Sequence, residues 1–108
     1  MTDARIVLTT VSNVEQAEQL ARHLVELRLA TCVNLIDRVR SVYRWQEDIE
    51  TADEVMLVIK TTLDRIATLK EKLDELHPYE LPELIVLEVS DGSNAYLTWL
   101  AAGCRDEN

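Results

Sequence analysis

The sequence predicts an α+β domain whose strands and helices follow one another in the order β-α-β-β-α-β, with one more helix at the end. Two amphipathic helical patterns alternate with short runs of β-branched residues. Between the two helices, residues 32–62 are rich in Val, Ile and Thr and indicate two long strands joined by a turn. This order is typical of the ferredoxin-like sandwich, in which two helices cover one face of a four-stranded antiparallel sheet.

The first half of the chain begins with an apolar, β-branched run from Arg5 to Val11, which we expect to form a buried central strand. Asn13 is a plausible N-cap for the helix that follows. Apolar residues then recur at helical spacing from residue 14 to about residue 29. The pattern therefore predicts a helix over 14–29, with Arg28 in its last turn, where the helix dipole favours a cation.

The long stretch from Cys32 to Thr62 is predicted to be a hairpin. Its first arm extends to about Trp45, and its second from about Asp53 to Thr61, with Ile49 as a possible extension, so that the chain reverses near 46–48. At ~3.3 Å per residue an unbroken first arm would reach more than ~40 Å, about twice the usual strand length. We expect its far end to fold back or to pair with another copy of the protein, because an exposed aromatic strand end invites uncontrolled edge pairing.

The second half of the chain supplies one more strand and two more helices. The spacing predicts a helix from Asp64 to His77, then a stiff connector over residues 77–83. Leu84 to Val89 is predicted to be a buried strand, and Asn94 to Ala102 a short final helix capped by Ser93. Two helices cover only one face of the sheet, so we expect the other face to pack against copies of this chain.

Length and composition are those of a single intracellular domain. The 108 residues are enough for one core, so we expect one domain over 1–108. A net charge of -9 disfavours nucleic acid as a partner, because phosphate binding needs basic patches. No apolar run approaches the ~20 residues that span a bilayer, and the chain enters a strand too soon for a signal peptide. Cys32 and Cys104 are therefore expected to be free thiols in a cytoplasmic protein.

Catalytic signatures are absent from the sequence. It contains no glycine-rich phosphate loop, no H-E-x-x-H, no G-x-S-x-G and no C-x-x-C. Carboxylate pairs such as Asp53/Glu54 are numerous, but charge runs usually form solvated faces. We therefore expect a protein that is not an enzyme.

His77 and Cys32 are the residues whose chemistry suits a metal. A neutral imidazole is a good copper or zinc ligand, and Glu80 lies three residues after His77. The alternative for His77 is structural, since a histidine at a helix end answers the dipole and caps carbonyl groups. The Cys32 thiolate could bind Cu(I), but a cysteine in a strand is more often a small buried apolar residue.

The aromatic residues have two possible roles. Core packing is the simpler role for each, while aromatic side chains are also enriched at subunit interfaces. Tyr43 and Trp45 stand near the hairpin tip, where an interface role is favoured. The complete aromatic set is Tyr43, Trp45, Tyr79, Tyr96 and Trp99.

Five stretches of the sequence carry recognisable motifs, which in chain order are L-V-E-L-R-L-A-T-C-V-N at 24–34, S-V-Y-R-W at 41–45, L-V-I-K-T-T at 57–62, H-P-Y-E-L-P-E-L at 77–84 and G-S-N-A-Y-L-T-W-L at 92–100. With these motifs the chain resembles the CutA family of divalent-cation tolerance proteins over nearly its whole length. The resemblance implies a ferredoxin-like fold and a homotrimer in which long hairpins pair across subunits. It also implies architectural similarity to the PII signalling proteins.

The resemblance implies a metal-related function more loosely. Copper ligands proposed in some bacterial members are a cysteine late in the first strand and a His-His pair, which fall here on Thr9 and on Leu76-His77. Only His77 matches. The family often has Pro-Gly where this chain has Asp37-Arg38, and we expect the hairpin to keep a kink there, because Asp tolerates turn geometry.

Taken together, the residues and the resemblance predict a cytoplasmic homotrimer that contributes to copper or other divalent-cation tolerance and binds metal or a small ligand in clefts between subunits. The alternative is a PII-like signalling or scaffold trimer that docks another protein without metal chemistry. The candidate metal ligands are His77, Cys32 and Glu80, and the candidate interface or cleft residues are Tyr43, Trp45, Lys60, Tyr79 and Trp99.

Overall fold

The structure is a computed structural model that describes residues 2–105. Within that range the chain forms, in order, β1 Ala4–Val11, α1 Val14–Glu26, β2 Cys32–Trp45, β3 Asp48–Thr62, a one-turn 3₁₀ helix Leu63–Arg65, α2 Ile66–Leu76, β4 Ile85–Glu88 and α3 Asn94–Gly103. The sheet is antiparallel with strand order β2-β3-β1-β4. The predicted α+β, ferredoxin-like class with a long hairpin and an extra C-terminal helix is confirmed.

One face of the sheet is sealed by helices α1 and α2. Paired residues of β1 and β3 such as Val7 and Ile59 are fully buried on this face. Leu24 of α1 and Leu69 and Leu73 of α2 pack against them with at most 1% exposure. Burial of these apolar side chains is the main force that holds the helices on the sheet.

The opposite face, which we call the open face, carries apolar side chains that remain exposed. Ile36, Ile85 and Leu87 are 48%, 47% and 43% exposed, and register puts them on the face opposite Val7 and Ile59. The prediction of a buried last strand was therefore wrong for the isolated chain. β4 lies at the edge of the sheet, and all four of its residues are exposed.

The chain reverses within the predicted segment 46–48, but β3 extends further towards the turn than predicted. β3 starts at Asp48, before both the predicted Asp53 and the possible extension at Ile49, so the turn consists of Gln46 and Glu47, with φ of 50° and 74°. Positive φ at both positions is the type I′ geometry that matches the twist of paired strands. The expected kink is present, since the register shifts between Ile36 and Val39.

Helix α1 ends at Glu26, three residues before the predicted end. Arg28 adopts a left-handed φ of 59°, while the N–H of Leu29 bonds the Leu24 carbonyl at 2.9 Å and that of Arg28 bonds the Val25 carbonyl at 3.1 Å. This pair of bonds is a Schellman motif, in which the left-handed position is usually glycine. Arg28 therefore lies beyond the last helical turn. Because this position holds arginine rather than glycine, the sequence does not mark the end of the helix.

The second helix is also shorter than predicted. α2 begins at Ile66, after the 3₁₀ turn, and ends at Leu76. His77 follows it in extended conformation, with φ -73° and ψ 134°, rather than in the last helical turn. The N-caps of the other helices are as predicted, because Asn13 and Ser93 accept hydrogen bonds from Gln16 N–H and Tyr96 N–H.

Candidate functional site

A cleft of about 810 Å³ lies between the hairpin and the connector over residues 77–83. We call it the hairpin cleft. Its size falls within the range of small-molecule sites. Its walls are mostly aromatic, acidic and proline side chains, with one arginine: Thr10, Tyr43, Arg44, Trp45, Glu50, Ala52, Glu54, Pro78, Tyr79, Glu80, Leu81 and Glu83.

The β-bulge at residues 37–38 determines which side chains face the cleft. Ile36 pairs with Met56, but Val39 pairs with Glu54, so one extra residue stands in β2. Arg38 takes a φ of 61°, and its N–H donates to Asp37 Oδ1 at 2.8 Å. Because side chains alternate between faces, the extra residue moves every later side chain of β2 to the other face.

As a result, the odd-numbered residues of β2 beyond the bulge share the open face with Glu50 and Glu54. Tyr43 pairs with Glu50, and Trp45 pairs with Asp48. Tyr43 and Trp45 are 43% and 41% exposed in the isolated chain. The bulge therefore puts aromatic rings of β2 beside carboxylates of β3.

Glu54 is the most highly connected carboxylate of the cleft. Tyr79 Oη–H donates to Glu54 Oε2 at 2.9 Å. Partial burial alone would raise the pKa of Glu54, but hydrogen bonds from Ser41, Tyr79 and Thr10, together with the nearby His77, outweigh it and lower that pKa. Glu54 is therefore a fixed negative charge at neutral pH.

The pKa values of two neighbours of Glu54, Tyr79 and Glu83, are raised rather than lowered. Burial, the hydrogen bond to Glu54 and its negative charge raise the pKa of Tyr79 to about 12. Burial and the charge of Glu54 also raise the pKa of Glu83. The cleft thus contains Glu54, which stays ionised at neutral pH, and beside it Glu83, whose ionised form is less favoured than that of a free glutamate.

His77 lies beneath the cleft with both ring nitrogens in use. Nδ1 accepts from the Tyr79 N–H at 3.1 Å, so the proton resides on Nε2, which donates to the Thr10 carbonyl at 2.9 Å and lies 3.1 Å from Thr9 Oγ1. Burial lowers the pKa of His77, while the Thr10 carbonyl and Glu54 partly offset that effect. The His77 ring is therefore neutral, and its hydrogen bonds join β1 to the connector. Its partners are not the helix carbonyl groups that the expected capping role would require.

The structure brings together some of the predicted site residues and separates others. Tyr43, Trp45, Tyr79 and Glu80 all line the hairpin cleft. Thr9, at the position that the resemblance assigns to a cysteine ligand, touches the His77 ring. The positions implied by the resemblance are therefore neighbours, although threonine replaces the soft ligand at one of them.

Cys32, Lys60 and Trp99 lie away from the cleft. Cys32 pairs with Lys60, four residues along β3 from the Met56 that pairs with Thr10, which is about 13 Å of strand. Lys60 Nζ donates to Tyr96 Oη at 3.3 Å, and the Tyr96 ring contacts Trp99 at 5.4 Å between centroids. These residues form a second aromatic cluster at α3.

Within the chain as described, residues 2–105, no group of three or more His, Cys, Asp and Glu is close enough to hold a metal ion. His77, Cys32 and Glu80 therefore do not converge within one chain.

Sequence reasoning missed the central carboxylate and its donors. Asp53 and Glu54 look like one surface pair, but adjacent strand residues point to opposite faces. Glu54 is in phase with Met56 and Val58, so a charge next to two apolar residues on the same strand face was the signal that could have identified it. The other contributors that escaped notice are Thr10, Ser41 and Glu83.

The fold and the cleft define a class of protein, a ferredoxin-like α+β domain with an extended hairpin and a cleft between that hairpin and the connector over residues 77–83. The sequence matches the family described as "CutA1 divalent ion tolerance protein" over residues 5–103. The match covers nearly the whole chain, so this protein belongs to the CutA1 family.

Similar proteins come from several branches of life. The divalent-cation tolerance protein CutA of Thermus thermophilus is 43% identical over 95 residues, covering 88% of this chain and 92% of that protein. The crystal structure of CutA from Xylella fastidiosa superimposes with a TM-score of 0.93 at 39% identity, covering 96% of this chain and 100% of the other.

A second solved structure concerns the cellular compartment. It is described as the periplasmic divalent cation tolerance protein CutA from Archaeoglobus fulgidus, with 26% identity, a TM-score of 0.91 and coverage of 94% and 99% of the two chains. For the chain described here, none of the helices within residues 2–105 is long and apolar enough to cross a bilayer.

Proposed function

We propose that this protein is a single-domain cytoplasmic homotrimer that contributes to divalent-cation tolerance, copper among the cations, by binding metal or a small ligand in the hairpin cleft where copies of the chain meet. The proposal treats the protein as a binding protein rather than an enzyme. Its relation to divalent cations follows from membership of the CutA1 family.

The observation that carries the proposal is the apolar open face next to an acidic cleft. Ile36, Ile85 and Leu87 are exposed on that face, and contiguous exposed apolar patches on a small protein mark association surfaces. Trp45 lies at the tip of the hairpin, next to the turn, on the same face. A second copy on this face would bury these side chains and add a wall to the hairpin cleft.

Metal binding in such an assembly would start from His77. Its ring already contacts Thr9 at 3.1 Å, and its Nδ1 is tied to the Tyr79 N–H. Binding of copper would have to replace one of these hydrogen bonds. Glu80 of the cleft, and Cys32 from a neighbouring copy, are the proposed assisting ligands.

Native mass spectrometry before and after copper titration with buffer exchange tests this proposal. We expect a three-chain species that takes up a saturable whole number of copper ions, and we expect His77→Ala to lose that uptake. The matched control is His23→Ala, which removes the other histidine of the chain, an exposed one on α1. Copper uptake that is unchanged in His77→Ala would remove His77 from the site.

The second candidate function is a PII-like scaffold trimer that docks another protein. The lack of a three-ligand group within residues 2–105 favours it. We would compare pull-downs with and without EDTA for the wild-type protein and for the Tyr43→Ala variant, which removes an aromatic ring from the cleft. A stoichiometric partner that survives chelation and is lost with Tyr43→Ala would support this alternative over metal binding.

A further inference from the structure

We propose that the hairpin cleft is a site for small organic cations, such as amines and quaternary ammonium compounds, held between aromatic rings and carboxylates. The inference rests on the proposed function, since it names the class of ligand that the same cleft would take. It concerns ligands larger than a bare metal ion.

The walls of the cleft have the composition that organic cations require. Tyr43, Trp45 and Tyr79 provide aromatic faces, and a ring quadrupole attracts a cation within about 6 Å of its centroid. Glu54 and Glu83 supply charge from the floor of the same cleft. Aromatic walls with carboxylates at their edge are how proteins recognise methylated ammonium groups.

Within a single chain, the same walls are poorly suited to a bare divalent ion. A metal needs three or more ligand atoms that converge at about 2.0–2.5 Å, and no such group forms within residues 2–105. The oxygens of Glu54 already accept hydrogen bonds from Ser41, Tyr79 and Thr10. An organic cation needs only the field of this carboxylate and not its lone pairs, so those hydrogen bonds need not break.

Electrostatic conditions in the cleft also favour a cation. Four glutamates line it against one arginine, Arg44. Arg44 pairs with Ile49 in the hairpin register, on the strand face opposite that of Tyr43, so its stem starts on the far side of the hairpin. Burial and the nearby charge of Glu54 both raise the pKa of Glu83, and a bound cation between the two carboxylates would relieve their repulsion.

Choline and its uncharged isostere 3,3-dimethylbutan-1-ol form the test, because they differ by the charge alone. The chain has two tryptophans, and Trp99→Phe leaves Trp45 as a single fluorescent reporter in the cleft. Both compounds are titrated into the full-length Trp99→Phe protein at constant ionic strength. We expect choline to change Trp45 emission saturably and the isostere to bind at least about tenfold more weakly.

Two substitutions locate the binding. Glu83→Gln and Tyr43→Leu should each weaken choline binding several-fold, by removing charge and ring face respectively. The matched control is Glu71→Gln, which makes the same change in net charge at an exposed residue of α2 outside the cleft. Equal binding of choline and the isostere, or equal effects of Glu83→Gln and Glu71→Gln, would overturn the inference.

Failure of this inference differs from failure of the proposed function. Copper uptake and oligomeric mass are measured on the same samples. If the protein is a trimer that binds copper at His77 but does not respond to choline, only the inference of organic-cation binding is rejected, and the proposed function stands. A single-chain mass rejects the trimer, whereas the choline titration still decides whether the cleft of one chain recognises a cation.

Discussion

The two faces of the sheet differ in how completely one chain can bury them. On the helix-facing side, Val7, Leu57 and Ile59 are 0% exposed. On the open face, Ile36 and Leu87 are 48% and 43% exposed, although both are as apolar as their counterparts. Helices α1 and α2 cover the first face, whereas apolar side chains of the second face remain exposed in the single chain.

The difference shows where stability and function reside in a small domain. Two helices are enough to form a core, but the remaining helix, α3, has only ten residues and leaves Ile36, Ile85 and Leu87 on the second face exposed. The hairpin cleft lies on this unfinished side. We infer that association and ligand binding both depend on the open face, and folding mainly on the other.

The largest effect is expected for Leu57→Ala on the helix-facing side. Truncation of a fully buried leucine leaves a cavity, and it should lower the free energy of unfolding by about 2–5 kcal/mol. Urea denaturation at two protein concentrations measures it. Leu87→Ala, the same substitution on the open face, should show a smaller loss that varies with protein concentration. Equal, concentration-independent losses would remove the distinction between the faces.

The next effect concerns the hairpin. Trp45→Ala should weaken association by about 2 kcal/mol or more, because buried tryptophans are typical interface anchors. Sedimentation velocity over a dilution series measures the dissociation. The control is Trp99→Ala, in the cluster at α3, which should dissociate less. An intact trimer of Trp45→Ala at the lowest concentration would count against packing through the hairpin.

A smaller effect is expected for the hydroxyl that joins the connector to β3. Tyr79→Phe should cost about 1 kcal/mol at neutral pH, since the lost hydrogen bond is charge-assisted but partly exposed to solvent. It should also raise the pKa of Glu54, measured by carboxyl NMR. Glu54 contributes stability above its unfolded pKa and loses it as pH falls through the folded pKa. The gap between variant and wild type should therefore shrink in acid, and Tyr96→Phe should show no such pH dependence.

The smallest expected effect is a pH dependence of the stability, which arises from His77. The pKa of His77 is lowered in the folded chain, so the unfolded chain binds a proton first as pH falls below about 6.5. Stability should fall from that point down through the folded pKa. Thermal unfolding at several pH values should show a flatter profile for His77→Gln and an unchanged one for His23→Gln.

Much of the fold could be predicted because local patterns determine it. Cys32 to Trp45 was bounded correctly by its β-branched and aromatic residues, and the N-caps Asn13 and Ser93 were recognised from their side chains. The end of α1 was missed because Arg28 occupies a left-handed position that usually signals itself with glycine. The exposure of β4 could not be predicted from the sequence, because an apolar strand has the same residue pattern whether a helix of the same chain or a second copy of the chain covers it.

The candidate site was predictable only in part, because it depends on contacts between distant segments. Aromatic residues near the hairpin tip and the H-P-Y motif located Tyr43, Trp45 and Tyr79. The role of Glu54 depends on a bulge that shifts which face each β2 residue occupies. The partners of His77, Thr9 and Thr10, are 68 and 67 residues away in sequence.

Sedimentation equilibrium of the wild-type protein tests the central claim, that another copy covers the open face, most directly. Each chain has a mass of 12.4 kDa. We predict a single species of three times the chain mass over a wide concentration range, which Leu87→Ala shifts toward the single chain and a surface control such as Glu71→Gln does not. A wild-type protein that sediments as one chain at all concentrations would contradict the account, because the apolar open face would then face water.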